Sequence, residues 1–104
     1  MRFEGVVPAV LTPFDEDGEI DPGALARNVE WLLDSGATGL VGTGTMGEAQ
    51  SLSAAERKFV IETLAEASGG RVLVTAGVSS ETPARSIALA ADAAAAGAGA
   101  LMLL

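Results

Sequence analysis

Residues 39–56 read GLVGTGTMGEAQSLSAAE, and the way this stretch divides decides the fold. Leu40-Val41, flanked by glycines, has the character of a buried strand end, while Gly42, Gly44 and Gly47 permit turns that other residues resist. Thr43, Thr45, Glu48 and the loop amides are expected to face outward where the strand hands over to the loop. In α/β proteins that end of a strand is where ligands bind. Gly42 to Gly47 also spells G-x-G-x-x-G, the fingerprint of a dinucleotide site. In that fingerprint the glycines open the helix directly. Here five residues, Glu48 to Leu52, precede Ser53-Ala-Ala-Glu56. That is a capping box, in which the serine hydroxyl takes an early helical amide and the glutamate reaches back to the cap. The helix therefore starts at Ser53, and the loop suits a small carboxylate better than a pyrophosphate. A nucleotide- or phosphate-binding α/β module using the Gly42–Gly47 loop is the alternative.

Working outward, the same grammar repeats. Residues 5–11, GVVPAVL, form an apolar run without alternation, expected as a strand buried on both faces, with Pro8 placing it at a sheet edge. Asp21-Pro22 starts a first helix as N-cap and first helical residue, with Leu25, Val29, Leu32 and Leu33 as its apolar stripe and Gly36 ending it. A second strand covers residues 38–41. The helix from Ser53 turns Val60, Leu64 and Ala67 inward and ends at Gly69-Gly70. Residues 71–76, RVLVTA, are a third strand, and Thr82-Pro83 starts a third helix whose inner line is read as Ile87, Ala90, Ala91 and Ala94. Residues 100–104 enter a fourth strand. The order βαβαβαβ, in units of about 30 residues, is that of parallel crossover units. It fits the N-terminal half of a TIM (β/α)8 barrel, or part of an open doubly wound sheet.

At 104 residues the chain holds one domain, short of the ~250 residues of a closed eight-fold barrel. Residues 1–104 are accordingly expected to be a single incomplete barrel domain, a truncated or fragment chain that stops as its last strand should deliver a loop. Hydrophobic residues make up 49% of it, so self-association into a homo-oligomer is expected to cover what one copy leaves bare. Fourteen carboxylates against six basic residues give a net charge of -8, with no Lys/Arg cluster for nucleic acid or an anionic membrane. With no cysteine and no histidine, thiolate and imidazole metal sites and His-dependent nucleophilic catalysis are excluded within the chain. The N-terminus has no basic region followed by a long apolar run, and a cytoplasmic location is expected.

Four stretches together resemble the dihydrodipicolinate synthase and N-acetylneuraminate lyase family: Thr12-Pro-Phe14, the GT-x-GE loop at Gly44 to Glu48 followed by Leu52-Ser-Ala-Ala-Glu56-Arg57, Ala76-Gly-Val78, and the GAGALML ending. The resemblance runs along the whole chain and covers about the first third of a family member. It implies a pyruvate-dependent Schiff-base lyase or aldolase on an (β/α)8 barrel, acting on a keto acid and an aldehyde-type substrate with no metal or other cofactor. The family's proton-relay threonine falls on Thr45, whose hydroxyl can both donate and accept. The next position, commonly a threonine or serine that holds the pyruvate carboxylate, is Met46, leaving the amides of Met46 and Gly47 for that role. Ala9 falls on the alanine lining the pocket from the first strand. The family's Schiff-base lysine and neighbouring tyrosine belong to later strands. This chain has no tyrosine, and its single lysine, Lys58, is expected to be solvated.

Plainer roles stand beside these. Thr45 can cap a loop amide, and Met46 can fill space. Glu48 is read as a buried or loop-tying carboxylate, Thr12 and Pro13 as shaping the exit of the first strand, and Asp15, Glu16, Asp17 and Glu19 as a solvated loop. A third possibility is a half-barrel that self-associates without catalysis.

Overall fold

Asp21 begins the first helix as expected, its carboxylate accepting the amide of Ala24 at 3.0 Å with Pro22 behind it. A computed structural model of the protein describes residues 3–104. It contains α1 (Pro22–Asp34), β1 (Gly39–Gly42), a 3₁₀ turn (Ala49–Ser51), α2 (Ala54–Ser68), β2 (Leu73–Gly77), α3 (Pro83–Ala96) and β3 (Ala100–Met102). Gly36, at φ +105, lets the chain leave α1, with Ala37 donating to Leu32 and Gly36 to Leu33. These bonds occupy two of the helix's last carbonyls.

The capping box at the start of α2 is complete: Glu56 N–H donates to Ser53 Oγ at 3.1 Å, and Ser53 N–H to Glu56 Oε1 at 2.8 Å. Ser53→Ala should lower stability by about 1 kcal/mol, read as a shift in the urea midpoint with an unchanged slope.

The three strands form one parallel sheet in the order β1-β2-β3, with Val41 opposite Thr75 and Thr75 opposite Ala100. Period-two alternation sorts its faces. Leu40, Val74 and Ala76 point toward the helices and are buried with Leu25, Val29, Val60, Ile61, Leu64 and Leu89. A Cβ on Gly42 would run into Leu64 and Ile61, so that position also faces the helices. Val41, Thr75 and Ala100 therefore make a row on the opposite face, the one that lines the interior of a barrel.

The leading segment departs from expectation. It runs beside β1 through Thr38 N–H to Val6 O, Val41 N–H to Pro8 O and Val10 N–H to Val41 O, but only the parallel Ala9–Val41 bridge is regular. Pro8 has no amide to donate, so the ladder is sparse and the segment is an edge, as its proline indicated. It is not buried on both faces. Val10 and Thr12 are buried against the helix side, whereas Val6, Ala9 and Leu11 are exposed.

In α3 the buried line is Leu89, Ala93 and Ala96; of the expected Ile87, Ala90, Ala91 and Ala94, only Ala90 packs against the core. Ile87 and Ala91 are exposed and Ala90 is only half-buried. A helix apolar on nearly every side offers no periodic signal to choose a face. The larger leucine takes the core.

Residues 13–21 close on themselves, with Asp15 Oδ1 accepting the amides of Asp17 and Glu19 on an exposed turn. Among the described residues no carboxylate cluster is arranged to hold a metal, and no helix is long and apolar enough to cross a membrane.

Candidate functional site

At the C-terminal ends of the strands the chain encloses one side of an open cleft of about 450 Å³. Its walls come from three places: the loop after β1, the loop after β2, and Met102 with Leu104 at the end of β3. This is the strand end at which parallel α/β folds bind ligands.

The loop after β1 is built on a strained residue. Thr43 has φ +53, a left-handed conformation that a β-branched side chain adopts only when its surroundings force it. It is buried rather than outward-facing, and its hydroxyl donates to Gly77 O at 2.9 Å, tying the end of β1 to the end of β2. The chain then folds through tight turns, with Gly44 O accepting from both Gly47 and Ala49. Thr12 Oγ1 donates to Gly47 O at 2.7 Å, so the exit of the leading segment fixes the loop from its other side. The 3₁₀ turn and buried Leu52 separate these glycines from α2. No pyrophosphate held by the loop would rest on that helix's N-terminus, the geometry a dinucleotide site needs.

Thr45 is exposed and lines the cleft, and its hydroxyl makes no hydrogen bond among the described residues. The other expected site residues are placed differently. Met46 is 62% exposed and lies outside the cleft wall. Gly47 is buried and its amide is engaged by Gly44 O, so of these two amides only that of Met46 is without an acceptor among the described residues. Ala9 sits on the inner face beside Val41 and is not part of the cleft lining. Glu48 is not buried. It is an exposed residue at φ +58 whose backbone shapes the turn and whose carboxylate bonds to nothing among the described residues. Lys58, expected to be solvated, is half-buried on α2 and lines a small crevice with Asp92 that adjoins the cleft without being part of it.

One residue that matters was not singled out from sequence. Arg57 is only 6% exposed, donating from Nε to Ala49 O and from Nη1 to Ser79 O, each at 3.1 Å. It cross-ties the loops after β1 and β2 and lines the cleft with Arg85. Burial, and next the Arg85 charge, push its pKa below the ordinary arginine value. The available signal was its place in the first turn of α2, one residue past the capping box and on the same helical face as Val60, Ile61 and Leu64. An i, i+3, i+4, i+7 reading that admitted a polar residue would have found it.

Comparison with known proteins agrees with this arrangement. The model of the dihydrodipicolinate synthetase family matches residues 2–104. A 4-hydroxy-tetrahydrodipicolinate synthase from Agrobacterium fabrum is 43% identical over 102 residues, covering 98% of this chain and 35% of the relative. One from Methanothrix thermoacetophila is 44% identical, covering 98% and 34%. Among solved structures, dihydrodipicolinate synthase from Aquifex aeolicus superposes with a TM-score of 0.91 at 34% identity, over 97% of this chain and 34% of that one. A prophage protein of the dihydrodipicolinic acid synthase family from Escherichia coli, solved in complex with pyruvate, gives 0.92 at 32% identity, over 97% and 34%. The chain thus spans about a third of the length of the curated relatives it matches. With its parallel βα units and strand-end cleft, the chain belongs to the dihydrodipicolinate synthetase family, and its fold is the N-terminal part of that family's TIM barrel.

Proposed function

We propose that residues 1–104 are the N-terminal part of a pyruvate-dependent Schiff-base lyase that joins or releases pyruvate and an aldehyde-type substrate, as a 4-hydroxy-tetrahydrodipicolinate synthase does. The observation that carries this reading is the unpaired Thr45 hydroxyl on an open cleft at the C-terminal strand ends. Support comes from relatives bearing that enzyme's name and from the pyruvate complex of a structural neighbour.

Each residue has a role in this scheme. Thr45 relays a proton between the reacting carbon centre and an acid or base contributed by another part of the barrel. The Met46 amide, one residue beyond the cleft-lining Thr45, is assigned to the keto-acid carboxylate, and Gly47 shapes the turn that presents it. Ala9 keeps the inner face of the sheet open by being small. The nucleophilic amine comes from a lysine in the part of the relatives' length that this chain does not span. Lys58 is not given this role, since it lines the adjoining crevice with Asp92 and not the cleft. No cofactor is required, because the imine itself withdraws electrons from the bond that is made or broken. The enzyme is proposed to be cytoplasmic and homo-oligomeric, with Leu101 and Leu103, exposed on β3 and just beyond it, covered by the next βα unit.

Borohydride trapping tests the scheme. A complete barrel carrying residues 1–104 should gain a reduced pyruvate adduct on a lysine outside this segment, and residues 1–104 alone should gain none on Lys58. A covalent adduct on Lys58, or no adduct on the complete barrel, would refute it.

A further inference from the structure

We propose that Thr75 is a positioning residue: in the complete barrel its hydroxyl hydrogen-bonds a polar side chain that the fifth or seventh strand sends into the interior, beneath the cleft. Thr75 lies in the middle of β2, the central strand of the three, and is 3% exposed. Its Oγ1 has no hydrogen-bond partner among the described residues.

The other buried hydroxyls among the described residues are paired. Thr12 donates to Gly47 O at 2.7 Å, Thr43 to Gly77 O at 2.9 Å and Ser68 to Ala65 O at 3.2 Å. A buried hydroxyl without a partner forfeits the bonds that water gave it in the unfolded chain, so such groups are few in folded proteins. Valine has the same branched shape and suits a strand as well, without that cost. The Thr75 hydroxyl therefore calls for a partner that residues 3–104 do not supply.

The register shows where that partner comes from. Thr75 stands opposite Val41 on one side and Ala100 on the other, with Ala9 beyond Val41, so its row carries no other polar side chain. Because β2 is paired along both edges, the neighbouring backbone groups are engaged in the ladders. Each layer of a barrel interior is filled by side chains from alternate strands. The leading segment, β1, β2 and β3 are the first four strands, so Thr75 on the third meets side chains of the first, fifth and seventh. The first brings Ala9 to the inner face beside Val41, and alanine has no polar side-chain atom. The fifth and seventh remain, in the part of the relatives' length that this chain does not span.

The same face leads from Thr75 to the chemistry. Two residues along, Gly77 stands opposite Met102, and both line the cleft with Thr45. Two strand residues advance ~7 Å, so a side chain anchored at Thr75 and extending one layer upward enters the cleft from below. Gly77 has no side chain to obstruct it. Fixing the base of such a group sets its orientation before substrate arrives, which is how a supporting contact assists a reaction it does not touch. The hydrogen bond requires only the barrel, whereas its effect on turnover rests on the lyase reading above.

A crystal structure, urea unfolding and pyruvate kinetics of the complete barrel, with Thr75 intact and as Thr75→Val and Thr75→Ser, test this. The parent structure should place a side-chain nitrogen or oxygen of the fifth or seventh strand within ~3.2 Å of Thr75 Oγ1. Thr75→Val should lower the urea midpoint, because it strands that partner, whereas removing a hydroxyl that bonds to nothing would raise it. The same variant should lower kcat about tenfold or more with KM for pyruvate changed far less, since a displaced group costs rate before binding. Thr75→Ser should recover most of kcat by restoring the hydroxyl. A raised urea midpoint in Thr75→Val, a structure in which water alone or no polar group meets the hydroxyl, unchanged kcat, or no recovery with serine would each overturn the proposal. Absence of a pyruvate adduct on the parent barrel would refute the lyase scheme and the kinetic role with it, while the structure and the urea midpoint would still decide the hydrogen bond.

Discussion

Gly77→Ala is expected to cost about 3 kcal/mol of stability, the upper end of what overpacking a well-filled site usually costs. The added Cβ would strike Thr43 O well inside van der Waals contact and would lie 2.9 Å from Thr43 C and 3.2 Å from Gly44 Cα. All three atoms are backbone, so no side chain can rotate away to relieve the clash. The strands themselves must part, or the loop after β1 must lift. Neither is cheap, because Thr43 is already strained and held by its hydrogen bond to Gly77 O. The same chemical change at Gly23 should have the opposite sign. There the nearest atoms to a new Cβ are the flexible end of Arg27 at 3.4 Å and Asp21 Oδ1 at 3.5 Å. Removing a glycine from the first turn of a helix gains roughly 0.5–1 kcal/mol. Equilibrium urea unfolding of the two variants, compared at equal slope, checks both signs. A Gly77→Ala variant as stable as the parent would mean that the close approach of the two strand ends is not a constraint. Because Thr45 lies two residues from Thr43, the variant should also lose the cleft's geometry.

The elements that were legible in sequence are those with chemical punctuation. Asp21-Pro22, the Ser53–Glu56 capping box and Thr82-Pro83 each marked a helix start that the structure reproduces, because cap preferences act within a few residues and need no tertiary partner. The capping box also separated the glycine loop from α2. What was illegible depended on partners distant in sequence. No local rule tells which side of the alanine-rich α3 faces the sheet, so Leu89 was passed over for Ile87. The burial of Thr43 follows from Gly77 approaching across the sheet, 34 positions away. Arg57 was missed for a related reason: a charged residue on the inner face of a helix looks misplaced until its acceptors, Ala49 O and Ser79 O, are brought to it by two different loops. The leading segment shows the intermediate case. Its proline announced an edge, but its apolar run implied burial that an edge beside one neighbour does not provide.

In the complete barrel, Thr45→Val is expected to lower kcat by about 10²- to 10⁴-fold, the usual contribution of a positioned proton-transfer group. That is roughly 3–5 kcal/mol of transition-state free energy. The substitution suits the question because the side chain is exposed and its hydroxyl bonds to nothing within the described structure, so removing it leaves no buried donor unpaired. Valine keeps the β-branched shape, and the loop's turns are made by backbone groups, among them Glu48 N–H donating to Thr45 O at 3.0 Å. Stability should therefore stay within about 0.5 kcal/mol of the parent, as for surface changes generally. KM for pyruvate should change far less than kcat, since carboxylate binding is assigned to the Met46 amide and not to the hydroxyl. Thr45→Ser should recover most of the rate, because it restores a donor and acceptor at the same carbon. Borohydride trapping with pyruvate separates relay from binding: Thr45→Val should still yield the adduct, more slowly, whereas a variant that had lost the site would yield none. Unchanged turnover in Thr45→Val would remove this residue from the mechanism and leave the strained Thr43–Gly44 turn without a catalytic reason for its geometry.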